Sequence, residues 1–333
     1  MCYFWGNNGY FIEVSKNKKP TTMEFDLIKA LVEELKPARP FYSFFGGEPL
    51  LHPKLEDIIH LIKSTGSPID TPTNGTLLKK HASLLIKTGF DNIRVSIDGP
   101  KEINDMQRGA GAHDKAMEGI KTLHEMKKEM GAKKPIISII YTITPMNYHS
   151  IEEFFLSDLN LEMVDWITIQ MYNFITEEMG KAFATLLKKE LNIDSDLYWK
   201  GLVRRHEDFI PMDYDDIANQ VSKILDHYHS RGKNILLLPP TFTSDNLQAY
   251  DEARWHDMVD LYQGCASPWK AVDIMANGDV APCHIFYDLT LGNLYDRTFT
   301  EIWNSPRYDK FRSLIKERGL MPICNIGCCI LYL

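Results

Sequence analysis

An α/β fold of parallel strands, followed by a small cysteine-bearing module, is what three observations on this sequence predict. Between residue 22 and about residue 132, amphipathic helical stretches alternate with short apolar runs, and each run ends in a polar or glycine-rich loop; that is βα repetition. The runs read as too hydrophobic to leave either sheet face in water, which implies an α/β barrel or a doubly wound sheet. Past Gly264 the pattern changes to short strand-like runs and clustered cysteines.

The elements follow in order. Helices are expected over 22–35, where Phe25, Leu27, Ile28, Leu31 and Val32 make one apolar stripe, then over 53–64, 77–88 and 113–130. Strands are expected over 41–45, 68–71, 92–97, 136–143 and 166–171. A charged, mainly helical insertion covers about 176–231, and "NILLLPP" reads as one more strand stopped by Pro239 and Pro240. In "WKAVDIMANGDVAPC" two strand-like runs flank Asn277-Gly278, a two-residue hairpin signal. The expected division is 1–240 for the α/β domain and 241–333 for the C-terminal module.

Composition narrows the function. With 333 residues, 44% of them apolar, the chain is long enough to bury a large core. A formal charge of -8 argues against nucleic acid and anionic lipid as partners, since both need clustered Lys and Arg. No apolar run approaches the roughly 20 residues of a spanning helix, and no signal-peptide pattern opens the chain. The expected setting is therefore cytoplasmic. Thiols stay reduced there, so five of the six Cys crowded between Cys265 and Cys329 read as metal ligands rather than disulfides.

Ligands of parallel α/β folds gather at the carboxyl ends of strands, which singles out three loops. In "FFGGEPLLHP", Gly46 and Gly47 admit close backbone approach and Glu48 accepts from an ammonium group, although a tight turn with a helix-capping acid explains the same residues. "TPTNGT" offers Thr73 and Asn74, or simply an Asn-Gly turn with Thr76 as helix cap. In "VSIDGP", Ser96 and Asp98 project one way from a strand end and suit the hydroxyls of a ribose; a turn on Asp98-Gly99 is the plain alternative. At the other end, Cys265, Cys283, Cys324, Cys328 and Cys329 supply two separated thiol groups suited to zinc or an iron–sulfur cluster.

Taken jointly, these stretches resemble the radical S-adenosylmethionine (radical SAM) enzymes that carry a C-terminal SPASM or twitch domain. The signature of that family is C-x3-C-x-Φ-C after the first barrel strand. "MCYFWG" resembles its end, with Met1 at Φ and Cys2 as the last cysteine. The chain is thus expected to begin inside the signature, lacking the first strand and two cluster cysteines, and to be inactive as it stands. Gly46-Gly47-Glu48-Pro49 is similar to the family's GGE motif, which contacts the methionyl amino group. Thr73 and Asn74, then Ser96 and Asp98, stand where the next strands supply cofactor and ribose contacts. Arg108, in the loop expected after them, resembles an Arg that pairs with the cofactor carboxylate. Cys265-x12-Gly278-x4-Cys283 fits the opening SPASM/twitch pattern.

The resemblance implies a partial (β/α)6 TIM-like barrel lacking its first strand, followed by a SPASM/twitch domain with a hairpin and helix. Its implied cofactors are S-adenosylmethionine, a radical SAM [4Fe-4S] cluster whose ligand set is incomplete in this chain, and one auxiliary [4Fe-4S] cluster. That second cluster would be held by Cys265, Cys283, Cys324 and either Cys328 or Cys329. The implied chemistry is reductive cleavage of the cofactor to a 5′-deoxyadenosyl radical that abstracts hydrogen from substrate, under low oxygen, with a one-electron donor such as flavodoxin or ferredoxin. A peptide or protein side chain is the expected substrate. A small-molecule alcohol (sugar or aminocyclitol) and a non-catalytic metal-stabilised scaffold are the alternatives.

Overall fold

A computed structural model of the protein describes residues 22–195, 199–205, 209–260, 264–284 and 286–324. They fall into two compact units: 35–172 with 211–244, and the remainder, in which 173–210 joins 245–324. The helical insertion expected over 176–231 is therefore divided between the units near residue 210.

The first unit holds six parallel strands in the order β1-β2-β3-β4-β5-β6: Tyr42–Ser43, Ile69–Thr73, Asn92–Ser96, Ile136–Ile143, Trp166–Met171 and Asn234–Leu238. Neighbours in sequence are neighbours in the sheet, as in a partial TIM-like barrel. Helices Leu55–Ser64, Leu78–Lys87, Ala112–Glu129 and Tyr214–His229 form where the sequence repeats apolar residues at helical spacing; Ile58, Ile59 and Ile62 of the first, for example, are all buried.

Side-chain alternation gives this sheet two unlike faces. Ile93, Val95, Ile137, Ile139, Tyr141, Ile143, Ile167, Ile169 and Met171 are buried. The even-numbered positions between them carry Asn92, Arg94, Ser96, Ser138, Thr142, Thr168 and Gln170, and several of these bond to polar neighbours on the same face. Ser138 Oγ donates to Asn92 at 2.8 Å, Gln170 Nε2 to Thr142 Oγ1 at 3.1 Å, and Arg94 Nη2 to Ser43 Oγ at 3.2 Å, with Arg94 also 2.9 Å from Asp70. The second face is thus polar, although Ser138 and Thr142 on it are buried. Runs such as "IISIIYTI" look continuously hydrophobic only because isoleucine occupies some positions of the second face as well.

At the amino ends of the strands one structural device recurs. Asp91, just before β3, accepts from the first N–H of β2 (Ile69, 2.9 Å) and from Lys63 at 2.7 Å, and also pairs with Lys134. Asp165, just before β5, accepts likewise from Ile137 of β4 (2.9 Å) and from Lys127. Each carboxylate satisfies a strand N–H that has no ladder partner. The amino end is consequently occupied by structural ion pairs, and the carboxyl end is left for ligands.

In the second unit, β7 (Asp273–Ile274), β8 (Asp279–Ala281) and β9 (Gly292–Asn293) form an antiparallel sheet. The hairpin loop has three residues, not the two expected. Gly278 N–H donates to Met275 O and Met275 N–H to Asp279 O, both at 2.9 Å, with Gly278 at φ +83°, the geometry of a type I turn closed by a left-handed glycine. Helix Glu177–Leu191 shares one core with this sheet and with helices Phe299–Trp303 and Pro306–Arg318. Phe183, Leu187 and Trp199 pack with Val280, Phe286, Tyr308 and Phe311, and Cys283 and Cys324 lie half-buried against them. No described helix is long and apolar enough to cross a membrane.

Candidate cofactor site at the carboxyl ends of the strands

β1 ends at Ser43, and the chain turns through Gly46 at φ +138°, where an added Cβ meets nothing within 4 Å. Glu48 follows in extended backbone and caps the 3-10 turn Pro49–Leu51, its Oε1 accepting from Leu50 N–H at 3.1 Å. The helix-capping reading of this acid is therefore realised. The same carboxylate also reaches the next strand, accepting from Thr73 Oγ1 at 2.9 Å and from Asn74 N–H at 2.9 Å. A carboxylate offers about four lone-pair sites; with three donors in place, half-buried Glu48 keeps capacity for one more.

Asn74 Oδ1 accepts from Thr76 N–H at 2.9 Å and Thr76 Oγ1 at 2.6 Å, an Asx turn. Thr76 therefore does not cap the following helix, whose N-cap is Leu77 without a side-chain bond. Gly75 is required here: at φ +79°, an added Cβ would lie 2.8 Å from both Ala116 Cβ and Val95 Cγ1.

Ser96 ends β3, half-buried on the polar face, and Asp98 continues that face beyond it. Asp98 is fully buried. Its Oδ2 accepts from Arg108 Nε at 2.6 Å and its Oδ1 from Thr142 N–H at 3.0 Å. Its own N–H donates to Asn104 Oδ1 at 3.0 Å, and its carbonyl accepts from Asn147 Nδ2 at 2.9 Å. Burial pushes the Asp98 carboxyl up from the usual range, against the pull of the Arg108 guanidinium and the Thr142 N–H. Arg108, expected in a loop, is the last residue of helix Lys101–Arg108. Only its Nε is bound; its terminal nitrogens have no partner among the described residues and are not enclosed.

Glu48, Thr73, Asn74, Ser96, Asp98 and Arg108 therefore all stand at or beyond the carboxyl ends of β1 to β3, with Gly46, Gly47 and Pro49 in the first loop. Met1, Cys2, Cys328 and Cys329 lie outside the described residues. Sequence reading missed Asn104, Thr142 and Asn147. Asn104 had a signal, since it stands four residues before Arg108 and thus on the same helix face. Asn147 is fully buried, and its Oδ1 accepts from Thr144 N–H at 2.7 Å; nothing local marks it.

In the second unit Cys265 Sγ accepts from Ser267 N–H at 3.3 Å. Among the described residues, no three His, Cys, Asp or Glu side chains are grouped to hold a metal. His284, which follows Cys283 in the chain, has its Nδ1 3.9 Å from Asp273 Oδ2. Burial pushes the Asp273 carboxyl up to about 6 and the His284 imidazole down to about 4.

Comparison with known families shows what kind of protein carries this arrangement. The radical SAM superfamily matches residues 1–156, and the SPASM iron–sulfur cluster-binding domain matches residues 265–329. The chain is a radical SAM protein with a SPASM domain. Its cofactors are S-adenosylmethionine and iron–sulfur clusters.

Similar curated proteins include the tungsten-containing aldehyde ferredoxin oxidoreductase cofactor-modifying protein of Pyrococcus furiosus, 24% identical over 91% of this chain and 78% of that one. The Fe-coproporphyrin III synthase of Methanosarcina barkeri is 26% identical over 83% of this chain and 64% of its own length. Among solved structures, Streptococcus suis SuiB bound to S-adenosylmethionine has a TM-score of 0.58 at 19% identity, covering 94% of this chain and 67% of SuiB. The enzyme anSMEcpe with bound AdoMet has a TM-score of 0.55 at 18% identity, over 92% and 77%. Both share the fold of this radical SAM protein.

The described residues fit the amino-acid end of S-adenosylmethionine. A carboxylate with a spare acceptor site suits the ammonium, and an arginine with two open nitrogens suits the carboxylate.

Proposed function

We propose that this protein binds S-adenosylmethionine across the loops after β1 to β3 and uses it to abstract hydrogen from a peptide or protein side chain. The carrying observation is that Glu48 and Arg108, each fixed by other residues, present opposite charges at the same end of one parallel sheet. Glu48 accepts from the methionyl ammonium and Arg108 donates to the carboxylate, while open space at Gly46 lets the loop backbone approach the ligand. With an iron–sulfur cluster, the cofactor supplies the radical; the protein orients it and excludes water. Cys265, Cys283 and Cys324, with a fourth thiol from Cys328 or Cys329, hold one auxiliary cluster.

Two observations support a peptide. The polar face lined by Ser43, Asp70, Arg94, Thr142 and Gln170 matches a substrate rich in amide groups, and SuiB and anSMEcpe, which share the fold, have been solved with peptides. A tetrapyrrole is the second reading, favoured by the curated relatives named for coproporphyrin and heme synthesis. Calorimetric titration of the anaerobically purified protein tests the cofactor site: Arg108→Ala and Glu48→Ala should each weaken S-adenosylmethionine binding without changing iron content. Unchanged affinity in both variants would remove this face from the cofactor site. Titration with Fe-coproporphyrin III, followed by its Soret band, separates the substrate readings. Saturable one-to-one binding would overturn the peptide reading, and no spectral shift would overturn the tetrapyrrole. A sugar alcohol in the same calorimeter addresses the small-molecule alternative.

A further inference from the structure

Asp98 lies where a contact to the cofactor ribose was expected, yet its carboxylate is sealed. The residue is fully buried, with Oδ1 on Thr142 N–H and Oδ2 on Arg108 Nε. Its backbone is fixed too, by Asn104 through the N–H and by Asn147 through the carbonyl. Asn147 Nδ2 also donates to Thr142 O at 2.9 Å, so β3, β4 and helix Lys101–Arg108 are tied at one point. Its carboxylate is enclosed, with no surface open to a hydroxyl, and both of its bonds are made inside the protein, one of them to Arg108.

We propose that Asp98 is a positioning residue that clamps Arg108 by its Nε edge, so that both terminal nitrogens of the guanidinium face a ligand carboxylate. The inference rests on the reading of Arg108 given above. An unclamped arginine loses rotamer freedom when it binds; Asp98 imposes that loss on folding instead. The clamp also explains why arginine stands here. A lysine ammonium has no separate edge to give Asp98, so once captured by that carboxylate it presents no second, aligned set of donors.

The experiment is a calorimetric comparison of parent, Asp98→Asn, Arg108→Ala, Arg108→Lys and the Asp98→Asn/Arg108→Ala double variant. The probes are S-adenosylmethionine and its decarboxylated analogue, with thermal unfolding as the folding control. Asp98→Asn should weaken S-adenosylmethionine binding about tenfold, the 1.4 kcal/mol step. The double variant should be no weaker than Arg108→Ala, because Asp98 acts only through Arg108. Arg108→Lys should lose as much as Arg108→Ala, and the decarboxylated analogue should bind all five proteins alike. Parent-level or tighter binding by Asp98→Asn, with Arg108→Ala impaired, would reduce Asp98 to a counter-ion and overturn the clamp while sparing the Arg108 reading. Silence of Arg108→Ala would overturn that reading itself. Should Asp98→Asn fail to fold, Arg108→Lys still decides: affinity near the parent's would sink the clamp.

Discussion

Replacing Glu48 by Gln separates two roles that the carboxylate holds at once, cap of a turn and acceptor for a cofactor ammonium. Glutamine keeps one oxygen, which can still accept from Leu50 N–H and Thr73 Oγ1, now at 3.1 and 2.9 Å. Its amide NH2 must then face Asn74 N–H, which stands 2.9 Å from the second oxygen. Two donors are set against each other there, and an unsatisfied partly buried N–H costs about 1–3 kcal/mol. Glu48→Ala removes all three bonds, about 3 kcal/mol at about 1 kcal/mol net for each. Equilibrium urea unfolding followed by circular dichroism measures both variants. The same proteins in the calorimeter report the second role, where Glu48→Gln should weaken S-adenosylmethionine about tenfold through loss of a charge-assisted bond. A variant destabilised as calculated but with parental affinity would leave Glu48 a cap alone. One with parental stability would refute the three-bond geometry.

Gly75→Ala combines a left-handed backbone, roughly 1–2 kcal/mol, with overpacking against Ala116 and Val95, about 1–3 kcal/mol. It should cost ~2–5 kcal/mol in the same unfolding assay, and a loss below 1 kcal/mol would contradict the close approach. Asp273 and His284 should oppose each other in the pH dependence of stability. A carboxyl raised from 3.8 to about 6 contributes stability that is lost as pH rises through about 6; an imidazole lowered from 6.5 to about 4 contributes stability that is lost as pH falls from 6.5. Between pH 4 and 6.5 these two contributions should therefore nearly cancel. Relative to the parent, Asp273→Asn should lower the melting temperature on acidification and His284→Asn should raise it, and parallel profiles for all three proteins would show that neither titration is shifted. Finally, Cys265→Ser, Cys283→Ser and Cys324→Ser should each lower the iron and acid-labile sulfide of the reconstituted protein by about four atoms per chain, since such clusters are held by four thiolates. Iron unchanged in all three, or zinc without sulfide, would refute an auxiliary cluster on these residues.

The order of strands and helices, and the loops at their carboxyl ends, could be read from local sequence. Hydrophobic periodicity is local, so Asn92–Ser96 and Ile136–Ile143 could be placed within a residue or so, and parallel closure then sends Glu48, Asn74 and Ser96 to one end. The cofactor class and the SPASM pattern were legible for the same reason, through short motifs with fixed spacing. Helix Lys101–Arg108 was not, because eight residues with Ile103 and Met106 as their only large apolar side chains give no amphipathic pattern. Only the folded arrangement shows that Asp98 is buried against Arg108. The bonds that seal it, from Thr142 and Asn147, span 44 and 49 residues of chain, and no local spacing rule reaches that far. The polar face of the sheet was likewise settled only by register. Whether Arg94 meets solvent or Asp70 depends on how β2 and β3 align, a pairing that the composition of either strand leaves open.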